Sequence, residues 1–454
     1  MNILPALALT LSLSAHAASP FAGDTYTAAD WAAACDNTGT CRMAGYQADG
    51  DSPFSILFVR PAGAKSAVSA YLTLQEGGEA GGPEMKLVGN GGELFLNGKS
   101  LGRVKFPQEG PAKLTQGQVR ALLAAYASRP PFTLEEAQGQ GRIWLLPDQA
   151  FNREEWMEKG EIRLFYAQWL DMTRKDKEDG KYYNTDTLKQ KRVKIFYGGR
   201  PLAEVIPDNY TTAVIPEEGR AAFQTALQRE NTLELRSGKS VWQLSHDNAW
   251  AVLRFTDLYQ HKDGTPHALV LRGKSNKPVP AASPAPKIRA ARVPNEKAAR
   301  EYAPGSASYK RLYRLIRKPY TAQDCGTMGD GDGGSIKIYP LGGGKALLET
   351  TCNTFAYNSD NFYALTDAKA QRILKVLPQG LGGYGGYVED KKGWVTLSGS
   401  HKGRGPADCW STKEYVWDGK EFAKSGEAAD LLCKGFPGGA WNMIKYSADI
   451  IPPK

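Results

Sequence analysis

Residues 94–104 align without a gap with residues 195–205, and each stretch has an apolar run, a turn dipeptide and a second run with apolar residues at matching positions. The offset between the two stretches is 101 residues, and it persists when residues 114–134 are compared with residues 215–235. Short apolar runs on either side of a turn dipeptide predict paired strands, whereas apolar residues spaced by three and four predict a helix. Each copy therefore predicts the order strand, turn, strand, helix, strand, strand.

Turn dipeptides lie at equivalent places in the two copies. Asn97-Gly98 and Gly198-Gly199 both supply the positive φ that a two-residue hairpin turn requires. We therefore predict a tandem pair of small α+β units that arose by duplication, residues 18–147 and residues 148–272. Chance recurrence of a short strand and helix pattern is the alternative interpretation.

The second unit is predicted to end in a β-hairpin. Residues 251–259 and residues 268–272 are both rich in β-branched, aromatic and leucine side chains, and Asp263-Gly264 lies between them. Two apolar runs around such a dipeptide are a hairpin signal.

A basic amphipathic helix and then a series of strands are predicted towards the end of the chain. Tyr309, Leu312, Tyr313 and Ile316 share one helix face, which we expect to pack on its own domain, with the lysines and arginines between them in solvent; attachment to an anionic membrane is the alternative. From residue 335 onwards, short apolar strands alternate with glycine-rich turns. Residues 305–454 are therefore predicted to form a disulfide-braced antiparallel β-sandwich or barrel, in a protein that is α+β to mostly β.

A linker is predicted at residues 273–304. This stretch holds six prolines, eight alanines and seven lysines or arginines against two glutamates, without Trp or Phe. Prolines hold such a segment extended and semi-rigid. The formal net charge of the chain is +9, and the basic residues cluster in this linker and the helix after it, so attraction to anionic partners is expected there.

An export signal is predicted at residues 1–17. An apolar run ends at Ala15-His16-Ala17, which has the small-x-small form that signal peptidase cleaves. No other segment approaches 18 apolar residues, so we expect a mature protein that does not span a membrane and lies in the periplasm or outside the cell. Nucleic acid is not an expected partner in that compartment.

Six cysteines fit an oxidising compartment. Cys35 and Cys41 enclose a turn-forming run and predict a local bridge. The remaining four allow three pairings, of which proximity in sequence favours Cys325 with Cys352 and Cys409 with Cys433. Zinc is the alternative, but no C-x-x-C spacing supports it.

The densest run of polar and aromatic residues surrounds Arg404. A guanidinium can hold a carboxylate or phosphate bidentately while tryptophan stacks on a ring, which favours a saccharide, peptide or partner-protein site. A loop pinned by its disulfide, with its tryptophans in the core, is the structural alternative. The candidate binding residues are Tyr357, Asn358, Lys402, Arg404, Asp408, Trp410 and Trp441.

The sequence contains no recognisable catalytic motif, and it contains one weak metal-binding motif. Asp330 and Asp332 alternate on a glycine-rich turn, as at the start of a calcium loop, but Gly334 occupies the next ligand position. A plain acidic turn is the favoured interpretation, and no other cofactor is expected. A pair of Asp or Glu residues acting on glycan leaves no local signature, so a hydrolase stays open.

A family resemblance rests on both ends of the chain. Trp31, Cys35, Cys41 and Tyr46, taken with residues 403–410 and 415–419, resemble the secreted Gram-negative family named domain of unknown function 1176. The opening pattern is also similar to invasion-associated locus B proteins, which are small exported β-rich domains. The resemblance implies export and an envelope role, and it brings no catalytic residues.

Together these patterns predict an exported, non-catalytic protein that binds or inhibits. Its partner would be an anionic envelope polymer or another envelope protein, such as a cell-wall hydrolase or toxin. The alternative is an envelope hydrolase that uses Asp and Glu on peptidoglycan or glycan, and a purely architectural role is a third hypothesis. The oligomeric state and the identity of the ligand are not encoded in any of these patterns.

Overall fold

A computed structural model gives the fold of the chain, in which antiparallel sheets predominate over helices. The structure describes residues 19–28, 30–47, 53–76, 85–127, 232–245, 249–294, 298–326, 334–383, 385–389 and 393–453, and strand backbone between residues 132 and 214. The predicted export signal, the Gly198-Gly199 turn and the predicted calcium residues Asp330 and Asp332 lie outside these described residues.

The first part of the chain forms a six-stranded antiparallel sheet, a hairpin and one helix. The sheet has the order β1-β2-β3-β4-β5-β8. Its elements and their neighbours are β1 (Asp24–Ala28), β2 (Trp31–Cys35), β3 (Cys41–Tyr46), β4 (Phe54–Arg60), β5 (Ser69–Leu74), β6 (Gly91–Leu96), β7 (Lys99–Lys105), β8 (Ala112–Lys113) and α1 (Gln116–Tyr126). Asn97 and Gly98 join β6 to β7 with positive φ values of 52° and 73°, as the hairpin signal predicts.

Both faces of this six-stranded sheet are buried. Along β2, Trp31, Ala33 and Cys35 point into one apolar cluster, which also contains side chains of α1. Ala32 and Ala34 point into a second cluster on the opposite face. The run Trp-Ala-Ala-Ala-Cys therefore lacks polar alternation because neither side of the strand meets solvent.

Strands from the two predicted repeat units pair with each other. The elements are β9 (Phe132–Glu136), β10 (Arg142–Leu145), β11 (Arg163–Phe165), β12 (Val193–Tyr197), β13 (Arg200–Val205), β14 (Thr212–Val214), β15 (Thr232–Ser237) and β16 (Ser240–Ser245). They give sheets of order β16-β15-β6-β7 and β10-β9-β12-β13, and a β11-β14 pair. Leu94 is opposite Leu235 in the first sheet, and Leu134 is opposite Ile195 in the second. Because residues 94 and 195, and residues 134 and 235, are both 101 apart, the two sheets pair equivalent positions of the two copies. The duplication itself stays a prediction.

The hairpin predicted at residues 251–272 is wrong, because its first half is helix α2 (Ala249–Tyr259). Apolar residues almost fill this stretch, and a short apolar run does not distinguish a strand from a buried helix. The backbone N–H groups of Leu269 and Val270, which a second strand would have used in pairing, donate instead to the carboxylate of Asp257 on α2, at 2.8 and 3.0 Å.

The last part of the chain contains one helix between sheets. Its elements are β17 (Lys287–Arg289), β18 (Arg300–Tyr302), α3 (Ala307–Ala322), β19 (Ile336–Gly342), β20 (Lys345–Thr354), β21 (Ser359–Asp367), β22 (Ile373–Val376), β23 (Gly382–Gly383), β24 (Gly386–Glu389), β25 (Val395–Lys402), β26 (Trp410–Trp417), β27 (Phe422–Ala429), β28 (Met443–Ser447) and β29 (Asp449–Ile451). Strands β18 to β22 form one sheet, β23 to β28 form another, and β17 pairs with β29. One apolar cluster draws side chains from both larger sheets.

Helix α3 packs on its own domain, as the favoured interpretation of its pattern predicts. Tyr309, Leu312, Ile316 and Tyr320 are buried against strands of the five-stranded sheet. Its basic residues remain exposed on the other side. No helix among the described residues combines the length and apolar content that crossing a membrane would require.

The segment predicted as a linker is extended and is held along its length. The backbone N–H of Ser283 donates to Thr38 in the first part of the chain, at 3.0 Å. Those of Ala290 and Val293 donate to Ile451 and Gly393 in the last part, both at 2.9 Å. Residues between the prolines retain backbone N–H groups that can donate hydrogen bonds, so a proline-rich segment can still be held against the folded parts of the chain.

A buried charge network fastens α2 to β4. Arg60 contacts Asp257 at 2.7 Å, with exposed side-chain fractions of 3% and 0%. Lys262 is also fully buried, and its amine donates to Ser66 at 2.9 Å. Burial, together with the positive charge of Arg60, lowers the pKa of Lys262 to about 7, although Asp257 opposes this.

Replacing Lys262 with methionine should remove a pH dependence of stability. Between the usual pKa of 10.5 and the folded value of about 7, the unfolded chain carries the proton and the folded chain does not, so raising the pH favours folding. Relative to Lys262→Met, the free energy of unfolding of the natural protein should rise by up to about 1.4 kcal/mol per pH unit. Urea titrations at pH 7, 8 and 9 measure this slope.

The exposed Lys65 provides the matched control for this experiment. Lys65→Met should keep the slope of the natural protein, because Lys65 is exposed and lies outside the buried network of Arg60, Asp257 and Lys262. Parallel pH profiles for the natural protein and Lys262→Met would contradict the prediction.

Candidate functional site

The candidate site is built around the loop between β25 and β26, residues 402–410. The three disulfides are Cys35–Cys41, Cys325–Cys352 and Cys409–Cys433, which is the pairing that sequence proximity favours. The last of these ties the end of the loop to residue 433. Gly403 donates its backbone N–H to Cys409 at 2.9 Å, so the loop is closed at its base as well.

Arg404 binds a carboxylate of its own loop. Its Nε donates to Oδ1 of Asp408 at 2.7 Å, and a second guanidinium nitrogen contacts Oδ2. Asp408 is buried and also accepts the N–H of Gly435 at 2.7 Å. The guanidinium, aided by that N–H, holds the pKa of Asp408 below its usual range. The predicted anion-binding arginine thus pins the loop, while its side chain stays 51% exposed.

Tyr357 and Asn358 dock against the same loop from the turn between β20 and β21. Asn358 exchanges two hydrogen bonds with the backbone of Lys402, at 2.8 and 3.0 Å. The ring of Tyr357 lies over Gly405, where an added Cβ would come within 3.2 Å of it. Tyr357 is 54% exposed and Phe355 is 56% exposed. Phe355 was not predicted, although its position two residues before Tyr357 indicates the same side of the turn.

A cavity of about 510 Å³ opens beside this loop on one face of the last sheet. Trp410 and Trp441 both line it, as do the carboxylate residues Glu414 and Asp430. Trp410, Thr412 and Glu414 share a face because side chains alternate along β26. That alternation could have predicted Glu414, whereas nothing local indicates that Asp430 joins it. The remaining lining residues are Ser400, Ala428, Ala429, Gly438, Gly439, Ala440 and Asn442.

Asp430 sits at the back of the cavity under a glycine turn. It accepts the backbone N–H groups of Trp410 and Trp441 at 3.3 and 3.2 Å. Burial raises the pKa of Asp430 to about 6, in spite of these two N–H donors. A Cβ added at Gly439 would lie 1.9 Å from one carboxylate oxygen, so glycine is needed there to leave room for Asp430.

Trp441 connects the cavity to the first part of the chain. Its indole nitrogen donates to the hydroxyl of Ser55 on β4 at 2.6 Å, and only 8% of the residue is exposed. Of the predicted residues, Tyr357, Asn358, Lys402, Arg404 and Asp408 therefore belong to the loop and to the turn that docks on it, with Asp408 buried. Trp441 belongs to the cavity, and Trp410 lies at the end of the loop and lines the cavity as well.

Metal binding finds no support in this region. Asp408, Cys409 and Cys433 are the one group of potential ligands that the described residues bring together. Both sulfurs are in a disulfide, and the carboxylate is bound to Arg404. A metal would have to displace both interactions.

Comparison with known proteins gives a family match. The sequence matches the family described as "Protein of unknown function (DUF1176)" over residues 25–145 and 168–447. Searches of curated proteins and of solved structures gave no significant match.

Adding a methyl group at Gly439 should cost more stability than adding one at Gly438. Both glycines have positive φ, 81° for Gly438 and 88° for Gly439, so each Ala variant should lose about 1 kcal/mol through backbone strain. An added Cβ at Gly438 meets nothing within 4 Å. Gly439→Ala should lose roughly 2 kcal/mol more, because it displaces Asp430. Urea unfolding of the two variants measures the difference, and equal losses would contradict the described position of Asp430.

Proposed function

The chain belongs to the DUF1176 family, and we propose that this member is an exported binding protein of the periplasm or cell exterior. Its partner is an envelope component or another exported protein, such as a cell-wall hydrolase or toxin. Three disulfides support an oxidising compartment, because such bonds persist outside the cytosol. The export signal predicted at residues 1–17 would direct the chain out of the cytosol.

The observation that carries the proposal is an exposed aromatic and arginine surface on a fixed loop. Phe355 and Tyr357 are more than half exposed, and Arg404 is half exposed. Tyr357 and Arg404 belong to residue types that dominate binding energy in protein interfaces. We call this set, Phe355, Tyr357 and Arg404 with the backbone of residues 402–408, the loop surface.

Preorganisation makes the loop surface suited to recognition. Ordering a mobile loop on binding costs free energy for each immobilised side chain. Here the Cys409–Cys433 disulfide, the Arg404 to Asp408 pair and the Asn358 hydrogen bonds hold the loop in place. A partner can therefore bind with little loss of conformational entropy in this loop.

Helix α3 supports an additional attraction to an anionic envelope polymer. Five basic residues lie exposed on the side of α3 that faces away from the core. A cluster of one sign raises the local concentration of oppositely charged partners and is screened by salt. The five are Lys310, Arg311, Arg314, Arg317 and Lys318.

A hydrolase that acts on peptidoglycan or glycan is the second candidate. Two carboxylates line one cavity, and burial raises the pKa of Asp430 towards neutrality, as in a general acid. Asp430 pairs with Trp410, however, whereas Glu414 lies four residues farther along β26, about 13 Å at a rise of ~3.3 Å per residue. This is a spacing of Cα atoms. Glycosidases hold the two carboxyl groups themselves at about 5–5.5 Å when they retain configuration and at about 6.5–9.5 Å when they invert it, so Glu414 and Asp430 fit only if their side chains turn toward each other. Binding therefore remains the better supported function.

Placing a photo-reactive side chain at Tyr357 should capture the partner. With p-benzoylphenylalanine in place of Tyr357, irradiation of intact envelopes should give a discrete crosslinked product, since the ring is 54% exposed and lies over a fixed loop. Leu374 on β22, which is 40% exposed, is the matched control position and should give none. Denaturing gel electrophoresis followed by mass spectrometry identifies the adduct.

Two outcomes would count against binding through the loop surface. Equal adducts at both positions, or none at position 357, would remove the support for a specific partner. Release of soluble fragments from purified peptidoglycan by the natural protein, lost in Asp430→Asn, would favour the hydrolase instead.

Reversing three charges on α3 should weaken binding to an anionic polymer. On a column of immobilised dextran sulfate, the variant Lys310→Glu, Arg314→Glu, Arg317→Glu should elute at lower salt than the natural protein, because fewer counterions are released on binding. Lys99, Arg103 and Lys105, which are exposed on β7, allow a control with the same change in net charge. Equal elution of the two triple variants would show that only net charge matters.

A further inference from the structure

The cavity beside Trp410 carries negative charge in a protein that is positive overall. Its charged lining residues are Glu414 and Asp430, and no lysine or arginine lines it. Neither carboxylate forms an ion pair with another described residue. The formal charge of the whole chain is +9. The cavity thus favours cations over anions.

Asp430 has unused hydrogen-bonding capacity that faces this cavity. Each of its oxygens accepts one backbone N–H, from Trp410 or from Trp441. A carboxylate has roughly four acceptor positions. Burial without a compensating cation raises its pKa to about 6, and an ammonium group in the cavity would supply that missing charge.

The aromatic walls suit the same kind of ligand. Tryptophan is the side chain whose ring binds cations best. The amine of Lys402 lies 5.8 Å from the ring centre of Trp410, so this ring already takes part in a cation–π contact within the chain. Trp441 contributes an apolar wall for a carbon chain.

We propose that this cavity binds an aliphatic organic cation, whose ammonium groups contact Asp430 and Glu414 and whose carbon chain lies against Trp410 and Trp441. The cavity volume of about 510 Å³ is within the usual range for small-molecule sites. The roughly 13 Å between the two acidic positions along the strand favours a linear molecule with separated amines over a compact one. This site is independent of the loop surface proposed to bind a partner.

Isothermal titration calorimetry with spermidine tests the proposal. At pH 7.5 and low salt, where Asp430 is ionised, the natural protein should bind spermidine, and Asp430→Asn should bind at least tenfold more weakly, since a hydrogen bond to a charged group contributes about 1.5–3 kcal/mol. Glu414→Gln should also weaken binding. Asp449, exposed on β29, is the matched control, and Asp449→Asn should leave the affinity unchanged.

Choline and chitotriose separate the remaining outcomes. Weaker binding of choline, which has one compact cationic group, would agree with a linear ligand that uses both acids. Two results would overturn the proposal. The first is that uncharged chitotriose binds equally to the natural protein and to Asp430→Asn. The second is that Asp430→Asn and Asp449→Asn lose the same amount of spermidine affinity. No heat with spermidine at millimolar concentration would overturn it as well. Thermal unfolding of each variant checks its fold, and crosslinking at position 357 should be unaffected throughout.

Discussion

The structure depends on burying both faces of the first sheet. Strand β2 presents Trp31 to one apolar cluster and Ala32 and Ala34 to another. The alanine face is covered by Phe436, Trp441 and Met443 from the end of the chain. Burying side chains of this size stabilises a fold by roughly 1.5–3 kcal/mol each. The small alanines let the backbone of the sheet approach these large residues closely, so the two ends of the chain form one packed layer.

This packing also shapes the candidate site. Trp441 is held by Ser55 in the first sheet while it forms a wall of the cavity. Asp430, on the same cavity, is positioned by the N–H groups of Trp410 and Trp441. One wall of the cavity, Trp441, is therefore fixed by contact between the first and last parts of the chain. The loop surface, in contrast, is held by contacts within the last part alone, which is why the two binding proposals rest on different interactions.

Local patterns in the sequence predicted local structure well. Asn97-Gly98, the face of α3 and the nearby cysteine pairs each depend on residues close in sequence. The pairing of β6 with β15 joins residues that are distant in sequence and has no local signature. Asp257 is only 12 and 13 residues from Leu269 and Val270, and there the local pattern indicated a hairpin where a helix and a side-chain contact formed. The same division holds at the site. Tyr357, Arg404 and Trp410 are recognisable by type, whereas Asp430 acquires its role only from Gly439 and Trp441, which fold over it.

Hydrogen bonds that join Asn37 to Ser447 span 410 positions of the chain. Contacts so distant in sequence slow folding, because a long loop must close before they form. The alanine face of the first sheet consequently stays uncovered until residues 436–443 are available. The packing of the first sheet is thus completed only after nearly the whole chain has been synthesised.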